Sequence, residues 1–395
     1  MIYLDNAATT QMSPGVLEVV AKAMQEDYGN PGTLYDLGKH ARASVENARK
    51  QVADVIGAQD RQIVFTSGGS ESNATAFFGI ADWMKKNMKN TVVVSAIEHE
   101  SVLRSAEAVC MKYGFHLYKI AVDASGCVNV QQLQDILNRE SVGLVSVMYM
   151  NNEIGTVQPN MNRIINLCRE RGAFFHTDCV QALGSIPIDV SLLPCDFLSV
   201  SAHKIHGPKG VGALYVSDRV RHSGVLTPLI YGGQGQESGL RGGTENVPGI
   251  VGFGQACEEM KISMASGAAA KVFYLCERFI DRLKVEMEQC GLGGRLCING
   301  DIQAGKICSV TITGIDNEAL ALLLDSNGIC VGTGSACSSM EVTPSHVLKA
   351  IGLSDDAAMS TIRVSFCASN THAEVSEAAR KIAECCRLLM QLPEV

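Results

Sequence analysis

Between about residue 60 and residue 216, short apolar and β-branched runs alternate with longer segments whose apolar residues recur at helical spacing. The runs "QIVFTS" (62–67), "TVVVSA" (91–96), "GLVSVMYM" (143–150), "AFFHTD" (173–178), "DFLSVSA" (196–202) and "GALYVS" (212–217) read as strands. Helices are expected over 71–86, 101–113 and 161–171. Strands alternating with helices predict an α/β fold built on a mainly parallel sheet covered on both faces. In open sheets of that kind ligands sit at the carboxyl ends of the strands, so the polar residues after each strand are the ones to read.

The pattern changes after about residue 255. "PGIVGFGQACEEMKISMASGAAAKVFYLCERFIDRLKVEMEQ" predicts one or two long helices, and shorter strands such as "KICSVTI" and "STIRVSF" follow, mixed with helices. The expectation is a large domain over 13–260 and a smaller α+β domain over 261–395, completed by residues 1–12. No internal repeat is present.

Composition narrows the class. At 395 residues the chain exceeds a single small module, since domains run to roughly 100 to 200 residues. With 46% hydrophobic and 19% charged residues it is globular in composition. A net charge of -8 leaves no basic footprint for nucleic acid. "MIYLDNAATT" lacks the basic segment and apolar run of a signal peptide, and no apolar stretch is long enough for a bilayer. No membrane partner and a cytoplasmic location are expected. The 15 cysteines, an odd number without a C-x-x-C pair, suit reduced thiols in a reducing compartment and offer no anchor for a zinc or iron–sulfur site. Most are expected to be small buried apolar residues.

The strand ends carry the candidate chemistry. "SGGSESN" follows the first, where Gly69 and Ser70 open a helix whose free amides favour an anion. Taken alone the segment reads first as a glycine turn with a serine cap, and it lacks the lysine of a P-loop. "IEHES" follows the second and brings His99, "NNEIG" the third with Asn152, and "HTDCVQ" the fourth with Asp178 and Gln181. After the fifth, "SVSAHKIHGPKG" sets Lys204 among Ser201, His203 and His206 before Gly207-Pro208.

A strand-end lysine is most often only solvated. Beside an acid from the neighbouring strand it is instead a candidate amine for a Schiff base. Pyridoxal 5'-phosphate needs such a lysine, an acid for its pyridine nitrogen, a flat group against its ring and an anion site for its phosphate. Lys204, Asp178, His99 and the set Gly69, Ser70 and Ser201 supply these in turn. The competing use, a metal pair from His203-x-x-His206, falls on a turn with no carboxylate or cysteine to complete it, so no metal is expected.

In order along nearly the whole chain, "YLDNAATT", "FTSGGSESN", "NNEIGTVQP", "HTDCVQALG", "SAHKIHGPKGVGALYV", "GLRGGTENVPGIVG" and "GSACSSMEVTPSHVLKAIG" resemble the successive motifs of cysteine desulfurases of the NifS and IscS type. The resemblance implies the aspartate-aminotransferase-like fold of class V, fold type I, with a seven-stranded, mainly parallel sheet in its large domain. It implies Lys204 as the Schiff-base lysine, Asp178 at the pyridine nitrogen, Gln181 at the phenolic oxygen and His99 on the ring. Gly69, Ser70, Ser201 and His203 would hold the phosphate, with Thr244 of "RGGTEN" reaching it from a partner subunit, hence a homodimer. Asn152 and Arg363 of "STIRVSF" would grip the substrate carboxylate, which an arginine fork suits.

Cys337 of "VGTGSACSSMEVTPSHV" sits in a glycine- and serine-rich segment poor in packing residues, unlike Cys308 in "KICSVTI". The resemblance makes it the catalytic nucleophile on a long, mobile loop, taking sulfur from L-cysteine as a persulfide and leaving L-alanine. A sulfur-acceptor protein, an iron–sulfur scaffold or a tRNA thiolation enzyme, is the implied partner. His206, Cys179, Ser70 and Cys367-Ala368 depart from the residues usual in the family. Selenocysteine lyase or another class-V aminotransferase-type enzyme is the alternative on the same scaffold. A transaminase has no use for Cys337.

Overall fold

The computed structural model describes residues 1–233, 235–333 and 343–391; Cys337 therefore lies outside the described residues. The first half of the chain gives β1 (Ile2–Tyr3), β2 (Ile63–Thr66), β3 (Thr91–Ser95), β4 (His116–Ile120), β5 (Val142–Ser146), β6 (Phe174–Asp178), β7 (Phe197–Ser201) and β8 (Gly212–Val216). Seven of these form one sheet in the order β2-β8-β7-β6-β5-β3-β4. From β4 to β7 the pairings are parallel, whereas β8 runs antiparallel to both β7 and β2. The α/β class and mainly parallel sheet read from the sequence are present.

All six predicted strands form. The seventh strand, which the resemblance implies, is β4; the apolar pattern did not place it, because "HLYKI" is an edge strand with four of its five residues at least partly exposed and carries no apolar run. The expected helix over 71–86 begins earlier, at Gly69, and divides at Ile80 into Gly69–Gly79 and Ala81–Lys86.

Both faces of the sheet are covered. Along β6, Phe175 enters the core that also holds Val45, Val93, Leu198 and Phe253, whereas Phe174 enters the opposite core with Phe77, Met84, Val102 and Phe197. This is the period-2 alternation of a strand buried on two sides. Each such aromatic contributes roughly 1.5–3 kcal/mol by burial, so the strand ends are held in fixed register.

A second sheet has the order β12-β13-β10-β9, from β9 (Leu296–Asn299), β10 (Ile307–Ile312), β12 (Gly332–Thr333) and β13 (Thr361–Ser365), all antiparallel. Its core gathers Val310, Ile362 and Phe366 with Phe279 of the helix Ala268–Gln289 and Ile382 of the helix His372–Leu389. The long helical stretch is two helices, Val247–Ala265 and Ala268–Gln289, parted where Gly267 adopts φ +89°. The amino terminus joins the two bodies: β1 pairs with β11 (Ile329–Cys330), Leu4 belongs to the second core and Ala7 to the first. Residues just after β1 thus run across the strand ends of the large sheet. Among the described residues no helix is long and apolar enough to cross a membrane.

Candidate active site

Because β6 and β7 are parallel neighbours, their carboxyl ends bring Asp178 and Lys204 to the same edge of the sheet. Asp178 is the last residue of β6, and Lys204 closes the short turn Ala202–Lys204 that follows β7. The Asp178 carboxylate is 4% exposed and fixed twice: Oδ1 accepts from the Val180 amide at 2.9 Å and Oδ2 from Asn73 Nδ2 at 2.8 Å. Lys204 Nζ donates to the carbonyls of Ala7 at 2.5 Å and Ala8 at 2.7 Å, on the segment that joins the two bodies.

His99 is the N-cap of the helix Glu100–Tyr113, its Nδ1 accepting from the Ser101 amide at 3.1 Å. Burial lowers its pKa, against the opposing charge of Asp178, so the ring is a neutral flat surface at neutral pH. Asn73 Nδ2 also reaches Ser101 Oγ, at 2.9 Å, and that oxygen lies 2.8 Å from His99 Nδ1. Asn73 is 1% exposed, so one buried amide links the acid to the ring that faces it.

The anion end is the start of the helix Gly69–Gly79, which no side chain caps. Gly68 sits at φ +152°, and a Cβ on Gly69 would lie 2.8 Å from Val180 Cγ2, so the backbone approaches only as glycine. Ser70, Ser201 and His203 flank it, and a further hollow of about 360 Å³ with Lys209 on its wall continues from this end. Burial, with the cations of Lys204, Lys209 and Lys306, pushes His203 down to about 4. Its ring is therefore a neutral hydrogen-bonding group, with Nδ1 3.1 Å from Thr9 Oγ1.

At the opposite end Arg363 of β13 is 9% exposed, donating Nη1 to the Asn152 carbonyl at 2.9 Å and pairing Nη2 with Asp5 at 2.8 Å. Arg363 Nε, Asn152 Oδ1 and Gln181 Oε1 are buried with no hydrogen-bond partner. Orphaned polar atoms are costly to bury, about 1–3 kcal/mol each, and with Asn73 Oδ1 there are four around one cavity, which marks a place shaped for a polar ligand.

That cavity has a volume of about 700 Å³ and is lined by Gly69, Ser70, His99, Asn152, Asp178, Gln181, Ser201, His203, Lys204 and Arg363. Residues separated by most of the chain thus meet in one place. Thr244 does not join them: it is exposed and lines neither this cavity nor the hollow beside it. Its loop is tethered to the anion end by Arg241, whose Nε meets Glu71 at 2.9 Å. Thr333 and Thr343, the nearest described residues on either side of Cys337, both line the cavity.

Sequence reading missed several groups here. Asn73 lies one helical turn beyond Ser70, a spacing that could have marked it. Asp5 lies in the quoted "YLDNAATT", but nothing local tied it to Arg363. Glu153 accepts from Ser345 Oγ at 2.5 Å, and burial raises its pKa. Glu98, next to His99, is fully buried: Oε1 accepts from Ser95 Oγ at 2.6 Å and the Met148 amide at 2.7 Å, and burial pushes it up to about 8.

An acid beside an amine, a flat neutral ring, an uncapped helix start and an arginine fork form the set that pyridoxal phosphate and an amino acid would need. Comparisons with known proteins agree with that chemistry. Residues 2–377 match the aminotransferase class-V family. Cysteine desulfurase IscS of Clostridium botulinum is 40% identical over 374 residues, covering 95% of this chain and 91% of that protein. Among solved structures, a NifS-like protein superposes with a TM-score of 0.87 at 35% identity, over 98% of this chain and all of that one. SspA in complex with cysteine superposes with a TM-score of 0.77 at 34% identity, over 94% of this chain and all of that one.

Proposed function

The chain belongs to the aminotransferase class-V family, and from that membership we propose that it is a pyridoxal-phosphate-dependent cysteine desulfurase, converting L-cysteine to L-alanine and leaving the sulfur on Cys337. The observation that carries this reading is the meeting of Lys204, Asp178, His99 and the uncapped helix start in one cavity. Thr333 and Thr343 favour a desulfurase over a transaminase, since they bring the flanks of Cys337 to the same place.

When bound, the cofactor withdraws electrons from the substrate's carbon skeleton. Lys204 supplies the amine that holds it and later moves a proton at the substrate carbon. Asp178, fixed by Asn73 and the Val180 amide, would keep a proton on the pyridine nitrogen. His99 would lie against the ring, and Gln181 would hydrogen-bond to the phenolic oxygen. The start of the helix Gly69–Gly79 holds the phosphate with Ser201 and His203. Asn152 and Arg363 orient the substrate carboxylate, with Arg363 Nε among the donors left open for it. The Cys337 thiolate forms a sulfur–sulfur bond as the substrate's carbon–sulfur bond breaks, and the carbon leaves with the electron pair and a proton as alanine.

The reading extends to a cytoplasmic homodimer in which Thr244 of each subunit completes the other's phosphate site; the exposure of Thr244 and its tethered loop support it. It also includes a sulfur-acceptor protein serving iron–sulfur cluster assembly or thiolation of tRNA or cofactors, in keeping with the IscS relatives. Protein loaded with pyridoxal phosphate and given L-cysteine with a reductant should show a visible absorbance band and form alanine and sulfide in step. A band without those products moves the reading to another class-V reaction, and protein that binds no cofactor removes it.

A further inference from the structure

Lys204 lies on the wall of two cavities. The second, of about 760 Å³, lies between the residues after β1, the helices Val247–Ala265 and Ala268–Gln289, and the turn that follows β13. Much of its wall is apolar, with Met12, Leu183, Met260, Met264, Val272 and Phe366. Lys306, just before β10, also lines it and is only 7% exposed.

Lys306 is poorly compensated by the chain. Its hydrogen bond is a marginal 3.5 Å contact from Nζ to the Gln181 carbonyl, and no carboxylate among the described residues forms an ion pair with it. The groups that act on its charge are Lys204, which repels it, and the half-exposed Cys367. Burial and Lys204 together push the amine down to about 7. The two carboxylates on the cavity wall are engaged elsewhere: Glu259 accepts from Gln255 Nε2 at 3.0 Å and Glu374 from the Thr371 amide at 2.8 Å. A cation taken out of water without a partner is costly, and an open cavity beside it lets a ligand supply what the chain does not.

We propose that this second cavity binds a small monoanion with an apolar body, a carboxylate on a chain of several carbons, with the Lys306 ammonium as its counter-ion. The charge sets the head group, and the methionine-rich wall, adaptable in shape, sets the tail. The site is distinct from the substrate carboxylate site at Arg363, and its assignment stands whether or not the desulfurase reading holds.

Calorimetric titration of the cofactor-loaded protein with hexanoate, against hexanol and hexylamine, tests it. Hexanoate should bind saturably, one per chain, and the two controls should not. K306M should weaken hexanoate at least about tenfold, the weight of one charge-assisted hydrogen bond, whereas R363M should leave it unchanged. Absent saturation, equal binding by K306M, or loss of binding in R363M would each overturn the assignment. Should K306M not fold, alkylation of Cys367 by iodoacetamide, read by peptide mass spectrometry, decides: hexanoate but not hexanol should slow it, and equal labelling rejects the site.

Discussion

Two cavities meet at Lys204, and they treat buried charge in opposite ways. In the strand-end cavity Arg363 has Asp5, and Asp178 has Asn73 and the Val180 amide. What stays unpaired on its wall are neutral atoms of Asn73, Gln181 and Asn152 and one N–H of Arg363. In the second cavity a buried amine, Lys306, has one long contact to a carbonyl. The difference teaches how to read a polar hollow: where the chain compensates its own charges, the orphans outline the polar edge of a ligand, and where it does not, the missing counter-charge names the ligand's sign.

The largest expected effect falls on the first cavity. Lys204→Ala should abolish both turnover and the visible band, and an unchanged spectrum would break the contrast at its root. Cys337→Ala should remove sulfide release to background while keeping that band, and full activity would reject the nucleophile. Asp178→Asn keeps the shape but removes the charge proposed to face the pyridine nitrogen; alanine formation should fall roughly 10²–10³-fold. Asn73→Ala should cost less, about 1.5–3 kcal/mol in kcat/KM, because Asp178 keeps its bond from the Val180 amide while losing a charge-assisted one. Loss confined to Tm, with kcat/KM unchanged, would reduce Asn73 to a packing residue.

A separate effect, on stability and not on rate, sharpens the contrast through pH. Burial raises Glu98 from 4.5 to about 8, above its unfolded value, so the native state holds a proton there that the unfolded chain has released. Its contribution is complete below the unfolded pKa and is lost as pH rises through the folded one. His176, fully buried between Ser146 and Ser199, is pushed by burial from 6.5 down to about 4, so its contribution is lost as pH falls through that window. The two oppose each other in mild acid, and Glu98 alone acts on the alkaline side. Glu98→Gln should therefore gain on the order of 2–4 kcal/mol over the parent between about pH 6 and about pH 8. Equal denaturation midpoints across that range would show that Glu98 does not hold its proton.

Much of the site was legible because it sits at strand ends, where a run of apolar residues stops and polar ones begin. Asp178, Lys204 and His99 each follow such a run. Asn73 was hidden inside a helix, where its value depends on which turn faces the sheet. β4 was hidden because a wet edge strand has no apolar signature. The helix breaks at Ile80 and Gly267 arise from packing and from one left-handed residue. Lys306 carries no signal in the sequence, where it only opens the strand run "KICSVTI". Only the packing of two bodies around it makes it buried, and no local pattern carries that information.

The central claim is that the strand-end cavity delivers sulfur to Cys337. Its most direct test is peptide mass spectrometry of cofactor-loaded protein after brief exposure to L-cysteine without reductant, with free alanine measured in the same sample. One additional sulfur atom on the peptide carrying Cys337, matched by alanine and absent from Lys204→Ala protein, is the expected result. Alanine formed with no sulfur on that peptide, or the same sulfur appearing without Lys204, would contradict it.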